Sequence, residues 1–321
     1  MSLPGWPHAE SPFHAGEEAV QARAGSRERM EEVGRRVLRG AMSEQHREFF
    51  PLLSFVVLGA ADGGGQPWAT LLAGDGPGFV TSPDATQLRV AALPPNDDPL
   101  AGLIQPGSPL ALLGIELQTR RRNRANGRVA QRDEHGFTLQ VLQSFGNCPK
   151  YIQRRDALPD APQAERGPAR RATQLDTPAA ALVRRADTFF IATHAAGDEP
   201  NRGSDVSHRG GRPGFVQVSD DGRTLTWPDF TGNSYFNTLG NLAAEPRAGL
   251  VFPDFEHGDL LHVAGRAEIV WNGPELTGFG GAERLLRLRV DEVLYRPAAS
   301  PLRWRLRDAS PALQGTGVWS G

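Results

Sequence analysis

Pro213-Gly214-Phe215-Val216 repeats Pro77-Gly78-Phe79-Val80 at an offset of 136 residues. The agreement continues downstream. Ser219-Asp220-Asp221 stands opposite Ser82-Pro83-Asp84, and Pro246-Arg247-Ala248-Gly249 opposite Pro109-Leu110-Ala111-Leu112, both at 137. Gly265-Arg266-Ala267-Glu268 stands opposite Gly127-Arg128-Val129-Ala130 at 138. Each identity alone is weak. A near-constant spacing held in unbroken order over about fifty residues reads as two copies of one unit.

On either side of these matches, each copy opens on a short helix that leads into an apolar strand. Ser43 is placed to cap Glu44–Phe50 ahead of Phe55, and Pro51 ends that helix. Thr177, with Pro178 after it, is placed to cap a helix running to Arg185 ahead of Phe189. Strand-like runs occupy 55–59, 68–72, 78–81, 110–117, 125–130 and 137–142 in the first copy, with Gly63-Gly64-Gly65 as a turn. The second copy offers 189–193, 215–218, 224–227, 248–252, 260–267 and 285–290. Met30, Val33, Val37 and Ala41 fall at helical spacing and predict one helix within 16–42. Residues 153–176, rich in Pro, Ala and Arg, read as an exposed linker. The division is therefore an N-terminal extension with a helix (1–42), a first β domain (43–152), the linker (153–176) and a second β domain (177–321). The expected fold class is mainly β with flanking helices, its strands closed or sandwiched in antiparallel sheets.

Composition narrows the function. The chain has 321 residues, 39% hydrophobic and 22% charged, which is ordinary for a globular protein. Thirty-five basic residues against 37 acidic give a net charge of −2, so no global field favours nucleic acid. Among the basic residues only Lys150 is a lysine. The one cysteine, Cys148, excludes an internal disulfide framework and any multi-cysteine metal site. No run nears 18 apolar residues, and residues 1–10 lack a basic-then-apolar leader. A cytoplasmic protein, bound to neither membrane nor nucleic acid, is expected.

The two copies differ where chemistry could live. The second carries Asp205-Val206-Ser207-His208-Arg209-Gly210-Gly211, where alignment sets Ala73 against Arg209. It continues through Trp227, Asn233, Asn237 and Thr238, the last two standing where the first copy has Leu100 and Ala101. Hydroxyls, amides and an arginine around a helix start suit an anion such as a phosphate. The plain alternative is that the asparagines are turn formers and caps. In the first copy, Thr119 to Arg128 holds five arginines. Strand alternation puts Arg122, Arg124 and Asn126 on one face, either solvated or turned toward an anion held by the other copy. Cys148 has no histidine near it in sequence and reads as a buried, inert thiol, while Lys150 hints at a specific contact. There is no GxxxxGK[ST], HExxH, GxSxG or CxxC.

These segments resemble the pyridoxamine 5′-phosphate oxidase-related FMN-binding split-barrel family, in a duplicated form. Ser207-His208-Arg209-Gly210-Gly211-Arg212-Pro213-Gly214-Phe215-Val216 is similar to the S-x-R-G-G-x-P-G-F-V segment of one branch. Leu225 to Asp229, Gly232-Asn233, Asn241-Leu242 and Pro246 to Phe252 match the downstream part of that branch. Gln45 to Phe50 and Asn147-Cys148-Pro149-Lys150-Tyr151-Ile152 look like parts of larger relatives, some of them fused to a reductase that is missing here. The resemblance implies two tandem six-stranded antiparallel split β-barrels with FMN between them. It implies flavin contacts from Ser207, Arg209, Trp227, Asn233, Asn237 and Thr238 of one barrel. Arg122, Arg124, Asn126 and Lys150 would come from the other. It further implies an FMN-dependent oxidoreductase passing electrons or hydride between small molecules, with a homodimer or a separate reductase as open partners. The basic ligands usual at the helix start are replaced by Asn237 and Thr238. The substrate-binding Arg and His of vitamin B6 oxidases find no match, so B6 oxidation is not expected. The alternative is a non-catalytic sensor or binder of flavin, haem or another anion.

Overall fold

In the computed structural model the described residues are 5–319, without 147, 160 and 163. Asn147, part of one segment quoted above, therefore lies outside them. The first sheet comprises β1 (Phe55–Ala61), β2 (Pro67–Ala73), β3 (Val80–Asp84), β4 (Gln87–Val90), β5 (Pro109–Glu116), β6 (Arg121–Asp133) and β7 (Gly136–Gly146). Then come β8 (Arg154–Ala157) and β9 (Arg170–Ala172). The second sheet comprises β10 (Thr188–Ala195), β11 (Gly203–Gly210), β12 (Gln217–Val218), β13 (Thr224–Phe230), β14 (Arg247–Pro253), β15 (Leu260–Val270) and β16 (Ala282–Arg296). The last strand is β17 (Trp304–Asp308). The orders are β2-β1-β5-β6-β7-β4-β3 and β11-β10-β14-β15-β16-β13-β12, position for position the same.

Each path holds seven strands, not the six expected, because the short β3 and β12 add a hairpin strand beside β4 and β13. β4 and β11 escape the sequence pattern. β4 is only four residues long, and β11 is a polar strand whose interior is built from Ser, Asp and His rather than aliphatics. Residues 153–176 are not simply an exposed linker. β8 pairs with β17, β9 pairs with β16, and Gln153 and Arg155 are buried. Arg155 binds Asp187 at 2.6 Å and stacks over Phe255 at 4.1 Å, which explains how an arginine is tolerated inside.

Six helices flank the sheets: α1 (Ala15–Arg23), α2 (Arg27–Val37), α3 (Glu44–Phe49), α4 (Thr177–Arg185), α5 (Asn237–Ala244) and α6 (Pro274–Gly278). The N-terminal helix is two helices, since Gly25 turns the chain at φ 69° between α1 and α2. Ser43 caps α3 as read, its hydroxyl accepting from the His46 N–H. For α4 the cap is Asp176, not Thr177. Its carboxylate accepts from the Ala179 N–H at 2.9 Å, so Thr177 is the first helical residue. Among the described residues no helix is long and apolar enough to cross a membrane.

Apolar residues gather in each sheet's interior and between the sheets. Val56, Leu88 and Phe137 lie in the first core, and Phe189, Trp227 and Phe252 in the second. Phe55, Val57 and Leu113 of the first unit meet Phe190, Val206 and Val251 of the second. Each such buried side chain contributes about 1.5–3 kcal/mol, so the two units are joined by a core of their own. The N-terminal helices strap across this junction. Phe13, Met30 and Leu38 pack with Phe145 of β7 and with Tyr235 just before α5. α1 lies backbone to backbone on α5, because a Cβ on Gly240 would come within 2.3 Å of Glu17 Cγ. That close approach delivers the Glu17 carboxyl to the start of α5.

Candidate functional site

The described cavity with the most chemistry opens at the junction, bounded by β6, β11, the β13–α5 loop and residues 148–151. Of the ten residues singled out from sequence, eight line it: Arg122, Arg124, Lys150, Ser207, Arg209, Asn233, Asn237 and Thr238. Trp227 does not. It is fully buried in the second core, edge-on to Phe189. Asn126 is buried two residues along β6 from Arg124 but outside the cavity wall.

The lining residues divide into a closed network and an open set. Arg124 crosses from the first unit to the second. Its guanidinium lies 2.8 Å from Asp205 and donates to Ser207 Oγ at 2.7 Å and to Asn237 Oδ1 at 3.0 Å. Ser207 donates in turn to Asp205 at 3.1 Å. Asn237 Nδ2 donates to Glu17 at 2.5 Å, and the other Glu17 oxygen accepts from the His14 N–H at 3.0 Å. Burial pushes the Glu17 carboxyl up to about 8, against the pull of those two hydrogen bonds. Ser207, Asn237 and the Nη atoms of Arg124 are therefore occupied by protein partners, while Arg124 Nε is buried without one among the described residues.

The open set is Arg122, Arg209 and Lys150. Among the described residues none of the three has a carboxylate within ion-pair distance, and the Nε atoms of Arg122 and Arg209 are buried without a hydrogen-bond partner. Burial first, and then the charges of Arg124 and Arg209, lower Arg122 to about 9. Cations crowded without acids are held apart from their natural counterions. The acids on the wall sit closest to Arg284, which lies 3.2 Å from Asp229 and also binds Glu283, while Arg209 acts on Asp229 from beyond ion-pair distance. α5 adds to this field. Its first residue comes after Phe236, whose side chain provides no cap, so the first N–H groups of the helix are free of side-chain partners.

Backbone strain collects at the same place. Tyr151, Ser234 and Phe236 have φ of 65°, 62° and 61°, and all three line the cavity. Left-handed backbone in such residues costs of order 1–3 kcal/mol each and persists where the surroundings enforce it. The Tyr151 hydroxyl donates to the Thr231 carbonyl at 3.1 Å and ties residues 148–151 to the β13–α5 loop.

Sequence alignment sets Arg209 against Ala73, but the strand registers do not. Arg209 pairs with Phe189, which is in the second core, while Ala73 pairs with Phe55, which faces the junction. The first-unit residue on the matching face is Leu72, paired with the core residue Val56. A one-residue slip exchanges the faces of a strand, so the arginine replaces an interior leucine. By the same logic Ser207 corresponds to Thr70, whose partner Leu58 is also in the first core.

Sequence reasoning passed over Asp205, Glu17, Asp229, His208 and Tyr151. Asp205, Ser207 and Arg209 alternate along one strand face, a readable signal had β11 been recognised as a strand. Glu17 carries no such mark. Cys148 is not the buried thiol expected, for it is half-buried and lines the cavity, with His208 on the same wall. Among the described residues no group of three or more His, Cys, Asp or Glu is placed to hold a metal ion.

Residues 175–297 match the family model for pyridoxamine 5′-phosphate oxidase. The match falls on the second unit. The matched stretch runs from just before α4 through the end of β16 and takes in β11, α5 and all the second-unit residues of the cavity wall. Two solved structures are similar to parts of the chain. The H111A form of HupZ from Group A Streptococcus has 15% identity, covers 37% of this chain and 98% of its own, and gives a TM-score of 0.30. The FAD-binding protein from Mycobacterium smegmatis has 14% identity, covers 39% and 98%, and gives 0.27. No match was found among curated proteins.

Proposed function

We propose that the chain is a flavoprotein that holds one FMN at the junction of its two units. The observation that carries this reading is the open set of cations. Arg122 comes from β6 and Arg209 from β11, so the two units each bring to one cavity an arginine that, among the described residues, has no carboxylate within ion-pair distance, and Lys150 stands at its mouth. A phosphate dianion would satisfy those donors with charge-assisted hydrogen bonds, helped by the free N–H groups at the start of α5. Tyr151, Phe230 and Phe236 also line the cavity and offer apolar surface to the ring.

In this reading Arg124, Asp205 and Glu17 are positioning residues. They fix Ser207 and Asn237 beside the cations and hold β6 against β11. FMN, when bound, supplies hydride and electron transfer, so the wall need provide few general acids or bases. The chain's own part is to bind the phosphate, exclude water with the aromatic side and keep the Asp229 carboxyl paired. The reaction is an oxidoreduction of small molecules.

The absorption spectrum of the purified chain tests this. Flavin bands that survive desalting, or that change on adding FMN to the apo-protein, are the expected result. A colourless protein that ignores FMN overturns it. Consumption of a reduced nicotinamide by the loaded protein then separates an oxidoreductase from a flavin-holding sensor.

A further inference from the structure

The cavity holds one nucleophile that binding does not use. Cys148 is half-buried and lines the wall that carries Arg122, Lys150 and Arg209. Arg122 and the sulfur are close enough for a thiolate there to raise the guanidinium's proton affinity. His208, only 4% exposed, lines the same cavity and has a buried Nε2 with no hydrogen-bond partner. The strained Tyr151, tethered to Thr231, holds the 148–151 segment against the cavity. A cysteine in a partly exposed, electropositive recess is the arrangement that favours thiol chemistry.

We propose that Cys148 is a reactive thiol of this cavity that takes an anionic disulfide. Cys148 Sγ forms a bond to one sulfur of the disulfide, and the S–S bond of the reagent breaks. The departing sulfur leaves as a thiolate with the bonding electron pair, and the Cys148 proton goes to solvent. Cys148 is oxidised to the mixed disulfide while the departing sulfur is reduced. The cations serve twice. They draw the negatively charged reagent in, and they stabilise the thiolate as it leaves. The inference rests on the cavity and its charges, not on which ligand fills it.

The full chain is treated with dianionic 5,5′-dithiobis(2-nitrobenzoate) and, separately, with neutral 2-hydroxyethyl disulfide. Cys148→Ser sets the background. Lys150 is exposed, so Lys150→Gln keeps the fold. Lys150→Gln should slow the dianionic reagent by about tenfold, the scale of local electrostatic steering, and leave the neutral reagent within about twofold. Arg122→Gln should act in the same direction. High salt should abolish the difference between reagents. Equal slowing of both reagents, or no slowing of either, overturns the proposal. Added FMN should protect the thiol. Should the charge effect appear without protection, the thiol proposal stands and the flavin reading fails.

Discussion

Arg124 of the first unit and Asp205 of the second lie 2.8 Å apart, each with a side chain about 5% exposed. This pair is the polar counterpart of the apolar junction, and it ties β6 to β11. A buried pair is costly to break, since removing one partner strands the other charge. Arg124→Ala should therefore lower stability by about 3–5 kcal/mol. The double variant Arg124→Met with Asp205→Leu should recover much of that loss. Urea denaturation measures both, and a single variant with wild-type stability would show that the pair holds nothing.

Arg209 makes the contrasting prediction. Among the described residues its one hydrogen bond is a weak one from Nη1 to the His208 carbonyl at 3.3 Å. Arg209→Ala should leave apo stability almost unchanged. A hydrogen bond to a charged group contributes about 1.5–3 kcal/mol, so FMN should bind roughly 10- to 150-fold more weakly. Arg121→Ala is the control, because Arg121 points away and stacks over Phe49 at 4.8 Å. Equilibrium titration of FMN fluorescence distinguishes the two. Normal binding by Arg209→Ala together with early unfolding would make the arginine a structural residue.

The expected stoichiometry comes from how the first unit closes its corresponding face. Thr70, which matches Ser207, donates to Asp98 at 2.5 Å, and Arg296 of the second unit closes on Asp98 at 2.7 Å. Both ionic side chains are almost wholly buried, at 2% and 1% exposure. The first unit also has Leu72 where the second has Arg209, so this face, sealed by Arg296, lacks the matching arginine. FMN titration should saturate near one per chain. Saturation near two would mean that Arg296 moves aside.

Stability should fall on both sides of about neutral pH. Burial lowers His46 to about 4 and His262 to about 3, so the unfolded chain binds their protons first. Stability is then lost as pH drops from the ordinary histidine value of 6.5 toward those values. Glu17 acts with the opposite sign. Its folded value near 8 exceeds the ordinary 4.5, so the folded state holds the extra proton and stability falls as pH rises between them. One proton is worth up to about 1.4 kcal/mol per pH unit. Glu17→Gln should flatten the alkaline limb and His262→Gln the acid limb, as read from melting temperature against pH. Unchanged slopes would place the linkage elsewhere.

Local pattern was enough to lay out two β units, most of their strands and the residue types gathered at the cavity. Alternating apolar runs, glycine turns and caps act over a few residues, so they are legible in a chain that has not yet been folded. Eight of ten candidate residues reached one cavity because strand alternation and a helix start are local facts too. Which of those residues are free is a different matter, and it was settled only in three dimensions. Nothing local shows that Asp205 takes Arg124, that Glu17, 220 residues from Asn237, claims its amide, or that Arg296 seals Asp98 from 198 residues away. Nor could spacing reveal that Arg209 matches Leu72 rather than Ala73. An identity alignment tolerates a slip of one residue, whereas a paired strand does not, because the slip turns every side chain to the opposite face. Charge pairing acts through space. Only the fold, by bringing β6 to β11 and α1 to α5, sorts the arginines into those paired with carboxylates and those without an ion-pair partner among the described residues.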